Sequence, residues 1–427
     1  VAAPKTIPRI NQIQKPKPFE YRYVRLEGDT DLYIVPTSSR LELVKIEVVV
    51  NRGRFDEGKK LSSRFCARIL KEGTKARNND DINDIFDFYG ANFHVQYHMD
   101  YASFSLICLR RYCLDLIPLV FEIISSPVFD KEELSLLKKK AVARHKLALA
   151  DNDSLSFRVL TERIFGHTHA YGYNSTEEDI LAIESEDLFM FHEKNYRRPF
   201  IKIYIAGNID RDIYEEISHQ VSLLSVGSAE YDEIGPVDVP AMNPDSLYVK
   251  NEYTYDSQSS IKMGKLIVKR DHPDYTSVHF LNTLLGGFFG SRLMQNIREK
   301  KGLTYNIFSD LEPMKHGAYF MIGTDVKTEN IEEVIALIHH EIDILEQKLI
   351  SDKEMRMVRN YIKGTLLSSL DGVFSTSGMI KILTLEVMKF QWIFDFFDRL
   401  DIILPTDIPA LVKKYMKSED LFTVVVN

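Results

Sequence analysis

Leu285-Gly286-Gly287-Phe288-Phe289-Gly290-Ser291-Arg292-Leu293-Met294-Gln295-Asn296-Ile297-Arg298-Glu299-Lys300-Lys301-Gly302-Leu303-Thr304-Tyr305 reads as the end of one helix, a glycine turn, a second helix and the start of a strand. The Gly286-Gly287 turn lacks the G-x-x-x-x-G-K-[ST] spacing of a phosphate loop, and no nucleotide-binding strand pattern precedes it. Around it the pattern predicts a strand over Ser260 to Val268, helices over Tyr275 to Leu285 and Ser291 to Lys301, and strands over Tyr305 to Leu311 and Ala318 to Thr324. Helices are expected over Ile331 to Leu349, Asp352 to Leu370 and Met379 to Glu386, and a last strand over Leu421 to Val426.

The first half repeats this order. Leu32 to Val35 and Glu42 to Val50 read as strands, Leu61 to Gly73 and Ile82 to Tyr89 as helices, and Asn92 to Leu109 alternates as a hairpin turning near His98-Met99-Asp100-Tyr101. Helices follow from Asp115 to Ile124, over Lys131 to Ala150, over Ser154 to Phe165 and within Glu177 to Tyr196, then a strand from Phe200 to Ala206. Such self-similarity predicts a duplicated α+β unit. The expected layout is an extended arm over 1–20, a first domain over 21–230, a Pro-rich linker over 231–246 and a second domain over 247–427.

Composition narrows the function. A chain of 427 residues with 44% hydrophobic and 27% charged content is long enough for roughly two to four globular domains. The net charge of -8 argues against a general nucleic-acid-binding role. Lys138-Lys139-Lys140 reads as a solvated helix face, and the run from Asn78 to Asp84 as a loop capping a helix start. No membrane-spanning apolar run is present. Cys66, Cys108 and Cys113 have no metal or disulfide spacing. The cytoplasm fits them best, with the periplasm as the alternative compartment.

The stretch that opened this reading, a glycine turn followed by S-R-L and then R-E-K-x-G-L-x-Y, resembles the signature of the pitrilysin/insulinase family of inverted-motif zinc peptidases, in its short, mitochondrial-processing-peptidase-like branch. Glu72-Gly73-Thr74-Lys75, Tyr89-Gly90-Ala91-Asn92 and His169-Ala170-Tyr171-Gly172 support the resemblance in the first half. It implies two homologous α+β domains with helices on one face of each mixed sheet, forming half of a clam-shell that closes on a second such pair. It also implies that Gly286, Gly287 and Gly290 form a loop lining the chamber, and that Arg298 and Tyr305 reach over a bound peptide. A guanidinium and a phenol there can both donate to a peptide carbonyl oxygen.

The other half of the family's site is erased. Its H-x-x-E-H motif would fall on Arg64-Phe65-Cys66-Ala67-Arg68, where Arg64, Ala67 and Arg68 replace two zinc-binding imidazoles and the general base. Guanidiniums carry charge at any working pH and have no lone pair to give a metal. The family's distal glutamate would fall between Lys138 and Lys146, a window with no carboxylate, in which His145 alone could ligate. His94 with His98, His167 with His169, and His339-His340-Glu341 lack a converging geometry, and Phe390, Trp392, Phe394, Phe396 and Phe397 read as core or interface. The expectation is a non-catalytic, substrate-binding subunit of a heterodimeric zinc metallopeptidase acting on unfolded peptides. This chain would hold no metal, and a homologous partner would supply the zinc. The alternatives are a structural or assembly subunit, or a peptide-binding homodimer, with no peptidase activity.

Overall fold

The computed structural model describes residues 13–37, 42–226, 244–254 and 258–427. Most of the expected linker, and residues 1–12 of the expected arm, lie outside these described residues. Eleven strands are present among them: β1 (Arg22–Arg25), β2 (Asp31–Pro36), β3 (Leu43–Val50), β4 (Asn92–Tyr97), β5 (Ala102–Leu109) and β6 (Ile201–Gly207), then β7 (Ser246–Val249), β8 (Gln258–Leu266), β9 (Thr304–Pro313), β10 (Ala318–Lys327) and β11 (Phe422–Val426).

The first sheet runs β1-β2-β6-β3-β5-β4 and the second β7-β11-β8-β10-β9. Set β1 aside and the two orders are the same. In each, the outermost pair of one side is parallel (β2 with β6, β7 with β11) and every other pair is antiparallel. The duplication expected from the order of elements is therefore a duplication of topology, and the fold is the two-domain α+β arrangement the resemblance implied, except that helices cover both faces of each sheet rather than one.

Each sheet packs one face on its own helices. On the first, Phe65, Leu116, Val120, Leu188 and Ile217 meet Ile46, Val48 and Leu106. On the second, Val278, Leu281, Ile338 and Val358 meet Ile261 and Phe320. The opposite faces are covered by exchange. The Asn152–Phe165 helix of the first half lies on β8 and β11, where Leu160 and Ile164 join Val424 and Val426. The Val373–Leu385 helix of the second half lies on β2 and β6, where Ile380 and Leu385 join Val35 and Tyr204. Central strands covered on both faces need apolar residues at almost every position, as in β3, where the last five residues are all buried.

Polar contacts fix the exchange. Glu47 on β3 receives Lys381 at 2.6 Å from the visiting helix. On β8, Lys262 reaches Asp153 on the reciprocal helix, and the Ser156 and Ser260 hydroxyls meet at 3.0 Å. Burial alone would raise the Glu47 carboxyl, but attraction from Lys381 and Lys45 overrides it and holds it at about 2. At the other end, Phe19 of the arm packs edge-on to Phe390, their ring centres 4.6 Å apart, tying the start of the chain to its last quarter.

Some elements differ from expectation. The turn after Gly290 leads into a π-helical segment, Met294–Glu299, rather than an α-helix over Ser291 to Lys301. β1, β7 and the helices Arg211–Leu223, Gln391–Ile402 and Ile408–Tyr415 carry no expectation, and the exchanged helix starts at Val373 rather than Met379. That helix is sandwiched between the halves and so lacks a clean polar face. Phe396 and Phe397 of the aromatic run are core. Among the described residues no helix is long and apolar enough to cross a membrane.

Candidate functional site

The helix Ser62–Ile69 carries the five positions on which the resemblance would place H-x-x-E-H. It begins at Leu61, whose φ of 71° is left-handed and unfavourable for a bulky residue. Glu57 holds it there. Its carboxylate accepts from the Leu61 amide at 3.0 Å, from the Ser63 amide and hydroxyl at 3.1 and 2.5 Å, and from the Tyr173 hydroxyl at 2.7 Å. Burial raises the Glu57 carboxyl, and the donors from Ser63 and Tyr173 oppose that rise.

Phe65, Cys66, Ala67 and Ile69 turn into the core. Ala67, where the resemblance would place a general base, is thus a buried methyl group. Arg64 and Arg68 sit one turn apart on the other face and flank a single ring: their guanidinium carbons lie 5.0 and 5.7 Å from the centre of Tyr97, the last residue of β4. Burial lowers Arg68 from its ordinary range, and repulsion from Arg64 and Arg144 adds to this against Tyr97 and Glu72. Burial likewise lowers His145, with repulsion from Arg158 and Arg64. The Lys138 to Lys146 window therefore does come up to the motif helix, and what it brings is Arg144 and His145.

This set does not fit zinc. Two of its motif positions are permanent cations and the third is a methyl group buried in the core. Among the described residues no group of three or more His, Cys, Asp or Glu side chains is placed to hold a metal ion.

A cavity of about 550 Å³ lies between the halves. Arg54, Arg64, Tyr97 and Tyr173 form part of its first-half wall, and Arg270, Glu312 and Glu386 part of the other. Its floor is latched across the halves. The Tyr171 hydroxyl donates to Asp100 at 2.5 Å and accepts the His316 amide at 3.1 Å, while the Lys315 amide donates to Asp100 at 3.2 Å. The His169-to-Gly172 segment thus serves the domain interface, with His169 buried and its Nδ1 accepting the Tyr171 amide.

Arg298 and Tyr305 lie elsewhere. Neither lines this cavity, nor do Gly286, Gly287 and Gly290. Arg298 belongs to the π-helical segment, donates to Glu299 at 2.7 Å and lies 5.3 Å from the Phe289 ring centre. Segments of this kind often occur at functional positions. Tyr305 is the second residue of β9, the edge of the second sheet, and is 88% exposed. Between them Gly302 turns at φ 67°, which favours glycine. Gly286 is fixed by contact: a methyl group there would meet the Ser309 backbone nitrogen at 2.4 Å. Glu57, Tyr97, Arg54 and Arg158 are the side chains that sequence reasoning missed; they reach the motif helix from distant or motif-free positions.

Residues 182–362 match the family model described as "Peptidase M16 inactive domain"; the erased motif lies outside that match. The chain is similar to the uncharacterized zinc protease YmxG of Bacillus subtilis, with 22% identity over 349 residues, 80% of this chain and 83% of that one. It is also similar to the non-peptidase homolog YmxG of Helicobacter pylori, with 23% identity over 309 residues, 71% of this chain and 69% of the other. Among solved structures, a peptidase M16 inactive domain from Pseudomonas fluorescens superposes with a TM-score of 0.85 at 23% identity, over 96% of this chain and 98% of that one; this is a likeness of fold.

Proposed function

We propose that this chain, which belongs to the peptidase M16 family, is the non-catalytic, substrate-binding subunit of a two-chain zinc metallopeptidase that cleaves unfolded peptides. A homologous partner bearing H-x-x-E-H holds the metal and the general base. This chain closes the chamber and supplies Arg298 and Tyr305 to the peptide carbonyl, with the substrate laid in extended form on a sheet edge. The observation that carries the reading is an asymmetry. Arg64, Ala67 and Arg68 offer nothing to a metal, whereas Arg298 and Tyr305 are retained and Tyr305 stands out from the surface where a partner can meet it.

The test is purification from the native source, with metal analysis of what copurifies. In the assembled complex, Arg298→Ala and Tyr305→Phe should each lower kcat/KM, by about a hundredfold for a donor to a developing oxyanion. Unchanged turnover in both variants would remove the substrate-binding role. Stoichiometric zinc in the isolated chain, with chelator-sensitive cleavage, would remove the whole reading. The name of the Helicobacter relative, a non-peptidase homolog, favours a second reading: a structural or assembly subunit, or a peptide-binding homodimer, with no peptide turnover. Failure to find any zinc-bearing partner would support it.

A further inference from the structure

The replacement of the zinc ligands is not a random loss. Arg64 and Arg68 stand on one helix face, and Arg144 arrives from the window where the distal ligand belongs. Two more guanidiniums stand near: Arg158 feels repulsion from Arg54 and Arg64 and attraction from Glu162, and each is held by a backbone carbonyl, Arg54 by that of Ala170 and Arg158 by that of Ser175. In a chain of net charge -8, most arginines find carboxylates; Arg52, Arg77, Arg270 and Arg292 do so at this molecule's own surface and interfaces. Among the described residues, none of Arg54, Arg64, Arg68, Arg144 and Arg158 has an ion pair within 4 Å. Within the group, Arg64 Nε and Arg68 Nη1 are buried and have no hydrogen-bond partner. Gathering like charges costs free energy, and leaving their donors unmet costs more. An anion repays both.

The place is suited to a polypeptide anion. Arg54, Arg64 and Tyr97 line the cavity, and Tyr97 ends β4, whose outer edge pairs with no other strand among the described residues. An extended chain added to that edge would pass the guanidiniums within reach of its side chains. We infer that Arg64 and Arg68, supported by Arg144, form a carboxylate-binding site that selects acidic peptides at the positions where relatives hold zinc. The inference rests on the peptide-binding reading above and names its substrate class. Guanidinium–carboxylate pairing in a partly enclosed site is a strong, forked interaction.

Two labelled unstructured peptides, identical except that glutamates in one are glutamines in the other, are titrated with the full chain by fluorescence anisotropy. The glutamate peptide should bind at least about tenfold more tightly at low salt, and the advantage should shrink as salt rises. Arg64→Gln with Arg68→Gln should erase the advantage, and Arg64→Lys with Arg68→Lys should keep part of it. Should the double glutamine variant fail to fold, Arg144→Gln, at an exposed position, carries the test and should reduce the preference. Equal affinity of the two peptides for the native chain overturns the inference and leaves peptide binding standing. No binding of either peptide overturns both. Inorganic phosphate that displaces the glutamate peptide at matching concentration would assign the cluster to small free anions and overturn the peptide assignment.

Discussion

β3 and β8 hold the same place in their sheets, and each presents a charged side chain to a helix lent by the other half. On β3 the charge is Glu47 and the visiting residue is Lys381; on β8 the charge is Lys262 and the visitor is Asp153. The topology is duplicated and the sign is reversed. Neither exchanged helix could lie on its own half's sheet without setting like charges together, Asp153 against Glu47 or Lys381 against Lys262. The reversal therefore specifies which helix covers which sheet. The acids of the two pairs differ in depth: the Glu47 side chain is 3% exposed and is shared by Lys45 and Lys381, whereas Asp153 is 52% exposed, its partner Lys262 being the buried end.

That difference in depth sets the order of expected effects. Glu47→Ala strands two largely buried lysines and should cost about 3–5 kcal/mol, read as a shift in urea midpoint; a cost below about 1 kcal/mol would show that the buried pair does not hold the exchange. The same carboxyl sets a pH dependence. Its folded value, about 2, lies below its ordinary value of 4.5. A depressed acid stabilises the fold fully above the unfolded value, and that contribution is lost as pH falls through the window from 4.5 to about 2. The loss should be about 3 kcal/mol, and Glu47→Gln should flatten the acid limb of the stability curve. Asp153→Ala takes the near partner from Lys262, itself 2% exposed, but the lost acid already meets water and Asp325 remains near the lysine, so the cost should be smaller, about 2–3 kcal/mol. If it matched the Glu47 variant, depth would not be what separates the halves.

A further change addresses the stretch that only the second half carries. Gly286→Ala drives a methyl group into the backbone of β9 and should destabilise by about 1–3 kcal/mol in thermal melts. No loss would mean that the glycine turn relaxes freely, as a mobile loop would.

Much of this arrangement was legible in the sequence. Lys131–Ala150 and Tyr275–Leu285 fall at the bounds their patterns indicate, the former because Asp130 caps it by accepting the Glu132 and Glu133 amides. Asn78 caps the helix after the motif by accepting the Asp81 amide, but that helix starts at Asn79, so most of the Asx run is helix rather than the expected loop. The exchanged helices were legible as helices but not as visitors, since apolar spacing says what is buried and not on which sheet. Met294–Glu299 has helical spacing either way, and a register of i to i+5 leaves no mark in residue types. At the motif helix, the family resemblance picked out Arg64, Ala67 and Arg68 and named the Lys138 to Lys146 window, which does approach them. It could not supply Tyr97, which reaches the arginines only because β4 ends where it does, nor Arg54 and Arg158, which converge through the turn and the exchanged helix.

The swap of helices has a consequence for biosynthesis. As the chain leaves the ribosome, the first sheet is complete in strands once Gly207 has emerged, yet Val35, Val49 and Tyr204 await a helix encoded more than a hundred and fifty residues downstream. Until Val373–Leu385 is synthesised, that apolar face is open to solvent and to chaperones. A nascent chain stopped at the join between the halves is expected to be a client of holding factors rather than an independently folded domain, and release of the full-length chain is the event that closes both sheets together.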